Sequence, residues 1–329
     1  MRDTLRSSLA CAALLAACPH EPLPAQDLRH AAADADVLVI ARQVGKRAFS
    51  DEVDLHRLQV LDVLRGGEQR AVTVIDWPQL SLHQRPQPRQ SRLYCLHDAG
   101  REAARIGLPA DQGPYYRMSG RAGSNPLIGA DLDQDPIARL CRVFTASERG
   151  APPAATTGAL LEIALGGEPV TRLEATRHLA ERPLLRTHLG AVQWSGLLSR
   201  MTGETTDLDY KMALAELCAE QRVPGLVDAL LVGLDSVHEP AYARAVGRLC
   251  AHQLGDAAVR PLLDRLQRAR SAEARSAALL ALGATRTGPA LDALLQLQDQ
   301  AKGDPAVAAA LREHGSRVAR EAALRGDGR

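Results

Sequence analysis

Between residues 35 and 96 apolar and polar positions alternate in short runs, and beyond residue 150 the repeat lengthens to that of a helix. Val37-Leu38-Val39-Ile40, the run Leu58 to Leu64 closed by Gly66-Gly67, Val72 to Ile75, Leu93 to Leu96, and Tyr115 to Met118 predict five strands divided by turn residues. That spacing fits a small antiparallel barrel or sandwich. The stretch between Trp77 and Ser91 holds Pro78, Pro86 and Pro88, too many prolines for a central strand, and is read as an extended loop. Asp135-Pro136 opens an amphipathic helix in which Ile137, Leu140, Cys141 and Phe144 share a face. Gly150-Ala151-Pro152-Pro153 then forms a linker.

After the linker the chain predicts helix pairs at 157–166 with 168–181, 189–201 with 205–221, 223–234 with 239–253, 256–269 with 271–283, and 287–300 with 304–324. Gly and Pro mark the gaps between them, as helix stop and start signals do. The second helices carry a common phrase, alanine, three residues, leucine, at Ala175 to Leu179, Ala213 to Leu217, Ala245 to Leu249 and Ala278 to Leu282. The phrase recurs at 38, 32 and 33 residues, the self-similarity of units that bury their apolar faces only against neighbours. Alanine lets two helices approach closely, and the leucine one turn later fills the space beside it. First helices agree as well, in Pro224 to Leu230, Pro261 to Leu266 and Pro289 to Leu294.

These residues resemble HEAT-like repeats, most clearly in Ser276-Ala-Ala278-Leu-Leu-Ala-Leu282-Gly283. The resemblance covers about half the chain and implies an α-solenoid that serves as a protein-binding surface. One subgroup of such proteins includes bilin lyases, so an enzyme or lyase-like chaperone with a site in the cleft between two domains stands as the alternative. The N-terminal strands, Ala35 to Ala41, Val60 to Gly66 and Ser91 to Leu96, resemble those of netrin and metalloproteinase-inhibitor-like OB barrels. The resemblance implies the fold and not the inhibitory mechanism. In those inhibitors a free N-terminal cysteine amine meets the protease zinc, whereas here no cysteine abuts the first strand.

The first 25 residues read as an export signal: Arg2 and Arg6, then the apolar run Leu9 to Ala17, then small residues. Leu15-Ala16-Ala17-Cys18 resembles a lipobox that would lipidate Cys18; the other reading is cleavage after Ala25. Either one places the mature protein outside the cytoplasm, in the periplasm or envelope or secreted, with membrane contact only through a lipid anchor. Of six cysteines, Cys95, Cys141, Cys218 and Cys250 then remain. Cys218 and Cys250 each follow the leucine of the repeated phrase and read as buried thiols. Cys95 and Cys141 are the disulfide candidates, a bridge worth roughly 3–4 kcal/mol when relaxed.

Charge narrows the partners. Residues 27–150 hold 17 Lys and Arg against 16 Asp and Glu, and residues 151–329 hold 21 against 21, so neither part shows the basic excess of a nucleic-acid binder. No nucleophile elbow, phosphate loop, dinucleotide fingerprint or Cys-x-x-Cys is present, and no catalytic, cofactor or metal residue is assigned. His238-Glu239 lacks the second histidine of a zinc helix and reads as a helix-start loop. Asp131-Leu-Asp133-Gln-Asp135 lacks the glycine and the terminal glutamate of a calcium loop, leaving an acidic turn in which Asp135 caps a helix. The other histidines, His56 among them, show no ligand spacing and are expected at the surface or hydrogen-bonded in the core. Two arginine groups remain as contact candidates for a partner: Arg85, Arg89 and Arg92 in the proline-rich loop, and Arg265, Arg268 and Arg275 in the repeats.

The sequence thus predicts a two-domain α+β protein. Residues 1–25 form the signal peptide, or a lipoprotein signal ending at Cys18. Residues 27–148 form an antiparallel OB-like β-barrel with a C-terminal helix, 149–156 a linker, and 157–325 an all-α HEAT-like solenoid of about five pairs. The expected role is a non-enzymatic scaffold without cofactor, binding another protein along the concave face of the solenoid.

Overall fold

A computed structural model describes residues 28–79, 88–120, 125–203, 207–301 and 303–327. The leader with Cys18, and Arg85 in the proline-rich loop, lie outside the described residues. The chain divides into two compact units, residues 1–145 and 146–329.

In the first unit five strands close into a barrel: β1 (Val37–Ala48), β2 (Asp54–Arg65), β3 (Ala71–Asp76), β4 (Ser91–Asp98) and β5 (Tyr115–Met118). Their order around the barrel is β1-β2-β3-β5-β4, and β4 pairs back onto β1. All pairings are antiparallel except β3 with β5, which is parallel, so the expectation of a wholly antiparallel barrel is corrected at that seam. The cause is the strand order: β5, reached through α2 (Gly100–Arg105) and a short 3₁₀ turn, pairs antiparallel with β4, which itself pairs antiparallel with β1, so β5 meets β3 in the same sense.

Alternation sorts the strand residues. Val37, Val39 and Ala41 of β1, Leu58 of β2, Val72 and Val74 of β3, and Tyr94 and Leu96 of β4 form the interior cluster with Tyr116 and Met118. Leu55 and Ile75 face the other way and pack with Ala99, Ala103, Leu108 and Tyr115. β2 is therefore buried on both faces near its start, which explains an apolar content above that of a half-solvated strand. Two arginines tie helices to β2. Arg65 donates to the carbonyls of Ala32, Ala33 (3.1 Å) and Ala35 (2.9 Å), capping the end of α1 (Leu28–Asp34). Arg142, in α3 (Pro136–Glu148), donates to Asp62 at 2.8 Å. The α3 start is as predicted: Asp135 Oδ1 accepts from the amides of Ile137 (2.9 Å) and Ala138 (2.8 Å).

The second unit is helical. It runs α4 (Pro153–Gly166), α5 (Pro169–Glu181), a single turn α6 (Pro183–Arg186), α7 (Ala191–Thr202), α8 (Leu208–Glu220), α9 (Leu226–Ser236) and α10 (Pro240–Leu254). There follow α11 (Val259–Arg268), α12 (Ala272–Ala284), α13 (Gly288–Gln300), α14 (Pro305–His314) and α15 (Arg317–Asp327). The helix expected over 304–324 is broken: Gly315 takes φ 74° at the end of α14, and Ser316 Oγ accepts from Ala319 N at 3.2 Å to start α15. Only glycine adopts that left-handed turn without strain.

The second helix of each pair packs on the second helix of the next, in the series α5, α8, α10, α12, α14. The four alanines of the repeated phrase are all buried, with Leu179, Leu217 and Leu282 behind them. Leu249 is half-buried, and Val246 and Cys250 fill the corresponding volume. Two glycines set the closest approaches. A Cβ at Gly247 would overlap the carbonyl oxygen of Ala281, and one at Gly283 that of Ala310.

Candidate functional site

The interior face of the barrel ends in three ionisable side chains. Asp54 and His56 stand two residues apart on β2, hence on one face, in phase with Leu58. Asp76, the last residue of β3, is the cross-strand partner of Asp54 and is in phase with Val72 and Val74. One ligand-type atom from each of the three lies within 4.8 Å of the others. All three residues are buried, His56 and Asp76 almost completely.

The histidine defines the chemistry. His56 Nε2 lies 3.5 Å from Asp76 Oδ2, an ion-pair distance at which no hydrogen bond forms. Among the described residues neither ring nitrogen of His56 has a hydrogen-bond partner. A buried polar atom left in that state costs about 1–3 kcal/mol. The expectation that core histidines are hydrogen-bonded is therefore corrected at this position. Lys46 stands at the rim: a register shift after Gln43 sets it opposite His56, and its Nζ reaches Asp54 Oδ2 at 2.8 Å. The Lys46 side chain is about half exposed, whereas that of Asp54 is mostly covered. An imidazole flanked by two carboxylates can accept a cation, and of these four groups Asp54 and Lys46 open toward solvent.

A second polar group shares the interior. Arg92, on β4, is in phase with Tyr94 and Leu96 and is buried, donating to the Asn125 carbonyl at 3.0 Å and to Gln90 at 3.0 Å. This corrects its expected role as a surface contact: alternation along β4 turns it inward. Burial pushes the Tyr94 hydroxyl up to about 12, with Arg92 opposing the shift.

The remaining arginines divide. Arg89 is exposed at a turn with φ 67°, and Arg268 is exposed on α11. Arg265 pairs with Asp235, and Arg275 with Asp304 at 2.8 Å, so both bind acidic groups of this chain. Cys95 and Cys141 are both buried, and the structure joins neither to the other. Burial pushes Cys95 up to about 12, far from the thiolate that disulfide exchange requires. Cys218 and Cys250 are buried as predicted, each pushed up to about 12 by desolvation.

Two open cavities are present among the described residues. One, of about 570 Å³, lies against the barrel between Lys46, Arg57, Thr73 and Tyr115. The other, of about 840 Å³, lies in the helical unit between the end of α7, α8 and α9, with Leu208, Lys211, Val232 and Asp235 on its walls. His238-Glu239 borders it as the loop into α10, as the sequence implied.

Asp54, His56 and Asp76 escaped the sequence reading because no motif joins them. The spacing of Asp54 and His56 was visible, but Asp76 joins them only through the β2–β3 register. No protein-family model, curated protein or solved structure matches the chain.

Proposed function

We propose that this protein is an exported, non-enzymatic scaffold in which an OB-like barrel precedes a HEAT-like solenoid that binds another protein. The observation that carries the reading is the unbroken row of second helices, lined by buried alanines and closed by glycine where α10 meets α12 and α12 meets α14. Such a row leaves its interior full and its function to its outer surface, the arrangement in which repeat proteins present extended binding faces. The strand order β1-β2-β3-β5-β4 with one parallel seam supports the OB-like assignment. Export rests on the pattern of the first 25 residues.

The partner's anchor point is placed at the cavity in the helical unit. Val232 is half exposed beside it, and Leu208 and Val237 add apolar wall, while Asp235, Ser236 and Glu239 supply a polar rim. An apolar centre within a polar rim is the usual anatomy of a protein contact. The test is affinity capture from envelope extract with the full chain and with Val232→Glu. A component retained by the native chain and lost with the variant supports the reading. Identical capture by the two removes the cavity as the contact, and no capture by either removes the scaffold.

A further inference from the structure

We propose that Asp54, His56 and Asp76 form a binding site for one divalent first-row transition metal ion, of the zinc class, inside the end of the barrel. The site is independent of the partner surface proposed for the helical unit.

Four observations converge on it. First, the donors come from two hydrogen-bonded strands, as residues i and i+2 on β2 and the cross-strand partner of i on β3. Sheet pairing therefore fixes the backbone of all three, which a loop cannot do as firmly. Second, the donor set is one imidazole nitrogen and two carboxylates. Two negative charges match a divalent ion, and the nitrogen favours zinc or cobalt over calcium and magnesium, which take oxygen. Third, the distances suit ligation. Two ligands about 2.1 Å from one ion in tetrahedral array stand about 3.4 Å apart, and His56 Nε2 and Asp76 Oδ2 are 3.5 Å apart. The full set lies within 4.8 Å and closes further by carboxylate rotation.

The fourth observation separates this reading from a plain buried ion pair. A protonated histidine held between carboxylates donates from its ring nitrogens, and a neutral core histidine pairs at least one of them. His56 does neither, although only about 2% of its side chain is exposed. A metal ion takes one of those nitrogens as a ligand without a hydrogen bond.

Lys46 competes for the same carboxylate. Its Nζ sits 2.8 Å from Asp54 Oδ2 and neutralises that oxygen, while its half-exposed arm lets it swing outward when an ion enters. Lys46 therefore acts as the gate of the site, and removing its charge strengthens binding.

The experiment uses the full chain, stripped with chelator and titrated with Zn²⁺ and Co²⁺ by calorimetry and cobalt absorption. One ion per chain is expected. His56→Gln and Asp76→Asn lower its affinity by roughly 100-fold, and Lys46→Met raises it by roughly fivefold. His188→Gln, at an exposed histidine of the helical unit, leaves it unchanged. X-ray absorption on the zinc-loaded native chain covers the case in which the ligand variants fail to fold. A shell of one imidazole with oxygen supports the site. A shell containing sulfur or more than one imidazole overturns it, as does equal affinity in native and His56→Gln chains or the absence of stoichiometric binding.

Discussion

The barrel and the row of second helices close their interiors differently, although both units bury polar side chains, Glu174, Lys211 and His314 among them in the helical one. The barrel interior carries Asp54, His56, Asp76 and Arg92 beside Leu58, Val72 and Val74. The row of second helices is closed by alanine, leucine and glycine, with backbone against backbone at Gly247 and Gly283. The difference follows from how each is assembled. Strands held apart by hydrogen-bonded ladders leave a cavity that side chains must fill, so long polar groups fit there. Helices have no such spacer, and their separation is set by the smallest residue at the contact. The barrel accordingly gathers three ionisable groups at one point, and the repeats bring backbone against backbone.

Volume added to the repeats is the harshest way to test that contrast. Gly247→Val puts a branched side chain into the Ala281 carbonyl and lowers unfolding free energy by roughly 3 kcal/mol, measured by urea titration. Gly158→Ala, on the open side of α4 where a Cβ meets nothing, raises it by about 0.5–1 kcal/mol. Equal effects of the two would mean that the helices are not in close contact.

Alkali probes burial in the two units together. The Cys95, Cys218 and Cys250 thiols sit at about 12 in the fold, above the ordinary thiol range. A raised thiol favours the folded state below its unfolded value, and that advantage fades as pH climbs from there toward the folded value. Stability should therefore fall above about pH 9, by up to roughly 1.4 kcal/mol per pH unit for each thiol. Denaturation at pH 8 to 10.5 should show the slope reduced in Cys218→Ala/Cys250→Ala, and less so in Cys95→Ala.

A finer test sits within the repeats. Tyr210 and Tyr242 each precede the alanine of their phrase by three residues. The Tyr210 hydroxyl donates to the Ala164 carbonyl, whereas the buried Tyr242 hydroxyl has no hydrogen-bond partner among the described residues. Tyr210→Phe should lose about 1 kcal/mol and Tyr242→Phe should gain up to about 1 kcal/mol, a difference of sign at equivalent positions. The smallest effect is expected at the surface, where Arg268→Ala should change thermal stability by less than about 0.5 kcal/mol.

How much of this was readable depends on the distance over which each feature is encoded. The repeated phrase, Pro240 at a helix start and Asp135 at a cap act within one or two turns, and they could be read directly. The break at Gly315 was equally local: Gly315-Ser316 carries a stop and a start in adjacent residues, hidden by the apolar run through Ala310 and Leu311 on one side and Ala322 and Ala323 on the other. The strand centres were legible as well. The parallel seam between β3 and β5, the inward turn of Arg92 and the meeting of Asp76 with Asp54 depend on pairing across many residues of chain. No local pattern states which strand lies beside which.

One contact type recurs along the helical row. Arg172 on α5 lies 4.7 Å from the centre of the Tyr210 ring and reaches Asp207 at 3.3 Å, and Asp207 caps α8 through the Tyr210 amide. Arg275 on α12 likewise holds Asp304, which caps α14 through Ala306. Each arginine thus grips the very residue that starts its neighbour. When one hairpin frays, the next loses the anchor of its own first turn, so melting should spread along the array as a shared event rather than unit by unit.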